Sequence, residues 1–283
     1  MVLRSITAII ALIILLPFLI FSGQVPFLIP LMTAVLAVIA VFEYFRCVGL
    51  KRDLEVTLPG YLLAFACSIG TCFVEKVSTY LVYLSAALFV YLLYLYVIAI
   101  FRHGKFTYSQ LSSAFTMVTY IAVCFACLPL IRHHVKGGEY LYLLVFVGSW
   151  VTDAFAYFVG KLFGRHKLNP EISPKKTVEG SIGGILCCVG AFALYGWILS
   201  YFFPAITPRY GALCAAGFFC SLVAQIGDLI ASLIKREHGV KDFSNVFPGH
   251  GGVLDRFDSF LAVCPVLLFL CVLGDGALIP LAL

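Results

Sequence analysis

From Thr79 to Phe101 the chain runs without a single charged side chain, and eight further apolar blocks of comparable length share the sequence with it. A hydrocarbon core about 30 Å thick is crossed by roughly 20 mostly apolar residues in a helix, because a helix satisfies every backbone polar group internally. The blocks run Ile6 to Phe21, Pro26 to Phe42, Thr57 to Val74, Thr79 to Phe101, Ala114 to Ile131, Tyr140 to Gly160, Ser181 to Phe203, Tyr210 to Ile234 and Phe260 to Leu281. With 62% of residues hydrophobic and 12% charged, no soluble core could hide so much apolar surface. The expected fold is therefore all-α, a polytopic integral membrane protein with about nine transmembrane helices. Only Ser22 to Val25 separate the first two blocks, so a re-entrant hairpin is the alternative to two spans there. The first block reads as a retained anchor, since no small-residue cleavage site precedes Pro26.

Charge fixes the expected orientation. With nine spans, 15 of the 19 Lys and Arg residues fall on the N-terminal side and 4 on the other. The positive-inside rule then puts the N-terminus and both long polar loops in the cytoplasm and the C-terminus outside; the expected location is the inner (plasma) membrane. The net charge of +5 follows from this topology and implies no nucleic-acid surface. Nearly all eleven cysteines lie inside apolar blocks, where they act as small hydrophobic residues; Cys124 and Cys127 have no second pair with which to build a zinc site.

Polarity is spent unevenly. Between Asp153 and Asp258 lie eight of the fourteen acidic residues and ten of the nineteen basic ones. The chain reads as one membrane domain, 1–283, with a lipid-facing front, 1–149, and a catalytic half, 150–283, whose cytoplasmic loops are 161–180 and 235–253. Helical spacing puts Asp153, Tyr157, Gly160, Lys161 and Gly164 on one face, which should look into the protein or a wet cavity because a carboxylate within a span is expensive. A simple fastening of two helices through Asp153 is the alternative. The following loop suits phosphate: Lys175 and Lys176 bring ammonium groups, Ser173 and Thr177 bring hydroxyls, and Gly180, Gly183 and Gly184 allow close approach of a backbone or a ligand. A basic cluster that only touches anionic headgroups is the alternative there.

Gln225, Asp228, Ser232 and Lys235 share a face of the eighth block, and Asp255, Asp258 and Ser259 share one at the start of the ninth. Gly251 and Gly252 permit a sharp turn into that last helix. Asp228 and Asp255 are thus expected to converge at membrane depth. Two facing carboxylates in a poorly polarisable medium repel unless one is protonated or a cation sits between them. With Lys and Arg close by to hold phosphates, Mg2+ bound by one or two carboxylates is the economical answer, and such an arrangement suits nucleotidyl transfer. Structural ion pairs among Asp255, Arg256 and Asp258 are the competing reading.

Taken together, Ser232-x-x-Lys-Arg236, Lys241-Asp242, Pro248-Gly-His-Gly-Gly252 and Asp255-Arg-Phe-Asp258 closely resemble the signature of the phosphatidate cytidylyltransferases, the CDP-diacylglycerol synthases. The stretches Ser173-Pro-Lys-Lys-Thr-Val-Glu-Gly180 and Asp153-Ala-Phe-Ala-Tyr157 resemble that family's two preceding blocks, so the likeness covers roughly Trp150 to Ser259. The resemblance implies a multi-pass, dimeric membrane enzyme that transfers CMP from CTP to phosphatidic acid, giving CDP-diacylglycerol and pyrophosphate. It implies Mg2+ on Asp228 and Asp255, with Asp258 as a further member of the site and K+ as a candidate second ion. Ser173, Lys175, Lys176 and Thr177 would hold the CTP phosphates, while Lys235, Arg236 and Lys241 would hold the lipid phosphate or the departing pyrophosphate. Asp153, Arg256 and His250 complete the implied substrate site, His250 as a backbone or phosphate contact more than an acid or base.

Two other readings use the same residues. A CTP-dependent polyprenol kinase or an ether-lipid CTP transferase would also want CTP, Mg2+ and an apolar acceptor. A transporter would use Asp153 and Asp228 as cation sites, but it predicts polar groups spread through several spans, whereas here they gather toward the cytoplasmic ends.

Overall fold

The computed structural model describes residues 17–18, 21–246, 251–272 and 281–282. Along these the chain forms α1 (Leu28–Cys47), α2 (Leu54–Gly70), a short 3-10 turn (Thr71–Phe73), α3 (Val77–Phe101), α4 (Tyr108–His134), α5 (Gly138–Leu141) and α6 (Leu143–Phe163). There follow β1 (Lys167–Asn169), β2 (Ser173–Thr177), α7 (Val178–Phe202), β3 (Thr207–Pro208), α8 (Tyr210–Glu237), α9 (Leu254–Val272) and β4 (Leu281–Ala282). Seven helical segments among the described residues are long and apolar enough to cross a membrane, from Leu28–Cys47 to Tyr210–Glu237. The last apolar block, Phe260 to Leu281, supplies the body of α9 as far as Val272, and its residues 273–280, like most of the first block, Ile6 to Phe21, lie outside the described residues.

The chain folds as two compact units. One takes the described residues up to Leu130 together with Val240–Arg256; the other takes Ile131–Gly239 and the described residues from Phe257 onward. In the first unit α1, α2 and α3 pack in sequence, and Tyr80 Oη, at the start of α3, donates to Cys67 O near the end of α2 at 2.8 Å. At the opposite end of the same pair, Arg102 Nε donates to Glu55 Oε2 at 2.9 Å and Lys105 Nζ lies 3.1 Å from Asp53 Oδ1. The polar loops after α1 and α3 therefore meet at one end of this unit, and the Asp53 carboxylate holds the Lys105 ammonium above its ordinary pKa.

In the second unit α6, α7 and α8 form the framework of the site. Thr152, Ala156 and Gly160 stand four residues apart on α6 and face Gly180 and Gly184, also four apart, on α7. A Cβ placed on Gly180 would lie 2.5 Å from Ala156 O and 3.0 Å from Gly160 Cα, so the two backbones touch across this seam. Small residues at a spacing of four are what lets membrane helices approach this closely. Of the two uses open to Gly180, Gly183 and Gly184, the helix-packing one accounts for their positions. Across α6 and α8, Thr152 Oγ1 donates to Ser221 Oγ at 2.9 Å in a buried contact. Gly227 performs the same service between α8 and α9, since a Cβ there would sit 2.6 Å from Asp258 O.

The polar stretch between α6 and α7, expected as a loop, is a β-hairpin. Lys167 pairs with Thr177 and Asn169 with Ser173 in antiparallel register. Its turn is written in Asn169-Pro170: the Asn169 side-chain oxygen accepts from Ile172 N at 3.2 Å while proline presets the next φ. Thr177 ends the strand and caps α7, its Oγ1 accepting from Gly180 N at 3.1 Å. Glu179 then reaches back to accept from Arg165 N at 3.0 Å and contacts His166 Nδ1 at 2.6 Å, closing the base of the hairpin.

Candidate active site

The hairpin, the end of α6, the first turn of α7 and the C-terminal half of α8 line a cavity of about 460 Å3 in the second unit. Asp153, Ser173, Lys175, Lys176, Thr177 and Asp228, six residues singled out from sequence, all line it. Lys161, Lys167 and Gln225 line it as well, so four ammonium groups face two carboxylates and the cavity is cationic overall.

Lys176 is the hinge of this arrangement. Its Nζ lies 2.6 Å from Asp228 Oδ2 and donates to Gln225 O at 3.3 Å, which ties the hairpin to α8. Both partners of the ion pair are about a quarter exposed, so the contact is open to an incoming ligand. Gln225 is held in turn by Ser181 O at 3.3 Å, and Ser232 Oγ lies 3.5 Å from Asp228 Oδ1. The helical face expected from Gln225 to Ser232 is thus present.

A second acidic group adjoins Asp228. Asp258, on α9, lies in the electrostatic field of Asp228, Asp153 and Lys235. Ser259 orders the pair: its backbone N–H donates to Asp258 Oδ1 at 2.8 Å and its hydroxyl to Asp153 Oδ2 at 2.8 Å. Carboxylates from α6 and α8 thus act on Asp258 of α9, an influence that Lys235 partly offsets, while Lys176 pairs with Asp228. Arg236 approaches the hairpin turn, its Nε 3.4 Å from Ile172 O. Among the described residues no group of three or more metal-ligating side chains stands ready-made.

Asp255, Arg256 and Lys241 belong to the other unit. There Asp255 is buried, and its Oδ2 accepts from Phe243 N at 2.8 Å and Gly252 N at 3.0 Å. Gly251 adopts φ +85°, the turn expected of it before α9. His250 lies outside the described residues. Sequence reasoning passed over Ser259's link to Asp153, the Glu179 clip and Glu43, the residue that follows the second block. A lone acid beside an apolar run is itself a signal.

The cytidylyltransferase family model matches residues 2–273. The chain belongs to that family. It is 36% identical over 270 residues to a phosphatidate cytidylyltransferase of Bacillus subtilis, covering 95% of this chain and 97% of the relative. Similar proteins of the same name from Staphylococcus haemolyticus and Staphylococcus aureus are each 35% identical over 270 residues, covering 93% of this chain and 96% of theirs. For a cytidylyltransferase, a cationic cavity beside clustered carboxylates at the ends of apolar helices is the expected setting, since a nucleoside triphosphate must meet an acceptor at a membrane surface.

Proposed function

We propose that this chain is a phosphatidate cytidylyltransferase, transferring CMP from CTP to phosphatidic acid and releasing pyrophosphate. The observation that carries the reading is the cavity in which Lys175 and Lys176 face Asp228 and Asp153, in a chain aligned over nearly its full length with proteins bearing that name. Ser173, Lys175, Lys176 and Thr177 bind the CTP phosphates. Lys235, Arg236 and Lys241 receive the lipid phosphate or the pyrophosphate; Arg256 and Asp153 belong to the substrate site, and His250 makes a backbone or phosphate contact. A phosphate oxygen of phosphatidic acid forms a new bond to the α-phosphorus of CTP while the bond from that phosphorus to the bridging oxygen breaks, and pyrophosphate takes the electron pair. A phosphate monoester is mostly dianionic near neutral pH, so no side chain has to remove a proton first.

A carboxylate suits a hard divalent cation, and Asp228 already holds a cationic partner in Lys176. Asp228 and Asp255 would hold Mg2+, with Asp258 as a further member of the site, and K+ is the candidate second ion. When bound, Mg2+ supplies charge neutralisation at the reacting phosphates. Lys176, paired with Asp228 and lining the same cavity, is the ammonium placed to meet a CTP phosphate there. The distribution of Lys and Arg supports a cytoplasmic N-terminus and cytoplasmic loops 161–180 and 235–253, with the C-terminus outside; the family resemblance supports a homodimer in the plasma membrane.

Purified protein incubated with phosphatidic acid, Mg2+ and CTP labelled at the α- or γ-phosphorus tests this. Label from the α-position entering lipid, with pyrophosphate released, is expected; label from the γ-position entering lipid would make the enzyme a kinase instead.

A further inference from the structure

Glu43 stands near the end of α1 with none of its surface exposed. Its carboxylate accepts three hydrogen bonds, all from residues some two hundred positions later. Ser244 Oγ donates to Oε1 at 2.5 Å, Val253 N to Oε1 at 2.9 Å and Leu254 N to Oε2 at 2.7 Å. Val253 and Leu254 open α9, where the first backbone N–H groups of a helix have no partner within it. Glu43 therefore caps α9 from another helix. The neighbouring amide, Gly252 N, goes to Asp255 Oδ2, so three successive N–H groups are divided between two carboxylates. Gly252 is obligatory in this packing, because a Cβ there would run into the Glu43 carboxylate.

We infer that Glu43 is a positioning residue for the reaction: by capping α9 and gripping Ser244 it fixes the turn that presents Asp255. The inference rests on the proposed function for the role of Asp255, although the hydrogen bonds themselves do not. A carboxylate is the right group because every partner is a donor and both oxygens accept. Glutamine keeps the shape but offers one acceptor and an NH2 group, which would turn a donor toward a donor and leave a buried N–H unpaired.

The test compares wild type, Glu43→Gln and Glu43→Asp in detergent. In metal-free, substrate-free protein, hydrogen exchange in peptides covering 240–246 and 251–256 should quicken about tenfold in Glu43→Gln, with the hairpin 167–177 unchanged. In turnover with CTP and phosphatidic acid, the Mg2+ concentration for half-maximal rate should rise about tenfold. The KM for CTP should stay within about twofold of wild type. Glu43→Asp, which keeps both acceptor oxygens, should recover part of both effects. Ser244→Ala removes one donor, gives a milder version of the same pattern, and decides the matter if Glu43→Gln does not fold. Unchanged exchange with unchanged Mg2+ dependence overturns the inference, as does a uniform rise in exchange throughout the protein. Wild type inert toward CTP and phosphatidic acid would instead refute the proposed function, with the exchange pattern still reporting on the cap.

Discussion

Gly180→Ala is the sharpest probe of how the site is held. The added methyl would lie 2.5 Å from Ala156 O and 2.9 Å from Thr177 Oγ1, against an ordinary contact of at least 3.4 Å, so α6 and α7 would have to part by most of an ångström. Overpacking of that kind costs about 1–3 kcal/mol. It is offset by up to about 1 kcal/mol, because alanine is the better helix former. Gly190→Ala, on the same helix but with nothing within 4 Å of its new Cβ, supplies the matched comparison in which only the propensity gain operates. The difference between the two variants should therefore be about 2 kcal/mol, or a gap of about 4–8 °C in melting temperature measured in detergent. Activity should suffer more than stability. Thr177 and Lys176 ride on the seam that moves, and an ångström of misplacement near reacting groups costs about a hundredfold in rate. Equal melting temperatures and equal turnover for the two alanine variants would refute the claim that this glycine seam sets the cavity.

Asp228→Asn should abolish turnover at every practical Mg2+ concentration while the protein still inserts and melts as a folded species; near-wild-type turnover would remove the metal assignment. Thr177→Val deletes the cap on α7 and should cost about 1 kcal/mol in thermal stability, read from melting curves, along with weaker CTP binding. Cys72, exposed in the 3-10 turn after α2, should react with an impermeant maleimide added outside intact cells when it is the only cysteine retained, whereas a variant keeping only buried Cys124 should not. Labelling of Cys72 only after permeabilisation would reverse the proposed topology.

What could be read from sequence follows a physical divide. Apolar length is a one-dimensional property, so Thr79 to Phe101 and Tyr210 to Ile234 foretell α3 and α8 to within three residues. The cavity lining was legible for a similar reason, since Asp153 and Asp228 are costly in a span and helical spacing says which residues accompany them. The hairpin was not, because strands of three and five residues, mostly polar, leave no hydropathy trace, and the clue lay in the Asn169-Pro170 turn. Glycines were ambiguous for the same lack of a side chain: Gly180 could have served a ligand or a helix, and only the position of Ala156 decides. Glu43 escaped because each of its partners is remote in sequence.

That remoteness has a bearing on biosynthesis. Glu43 leaves the ribosome 201 residues ahead of Ser244. At about 5–20 residues per second the interval is roughly 10–40 s. For that time a carboxylate at the edge of an inserting helix must be kept by water, lipid headgroups or the insertion machinery, and a nascent chain stopped at Gly239 would never relieve it. One of the first helices made thus completes its contacts only after the start of α9 has been synthesised.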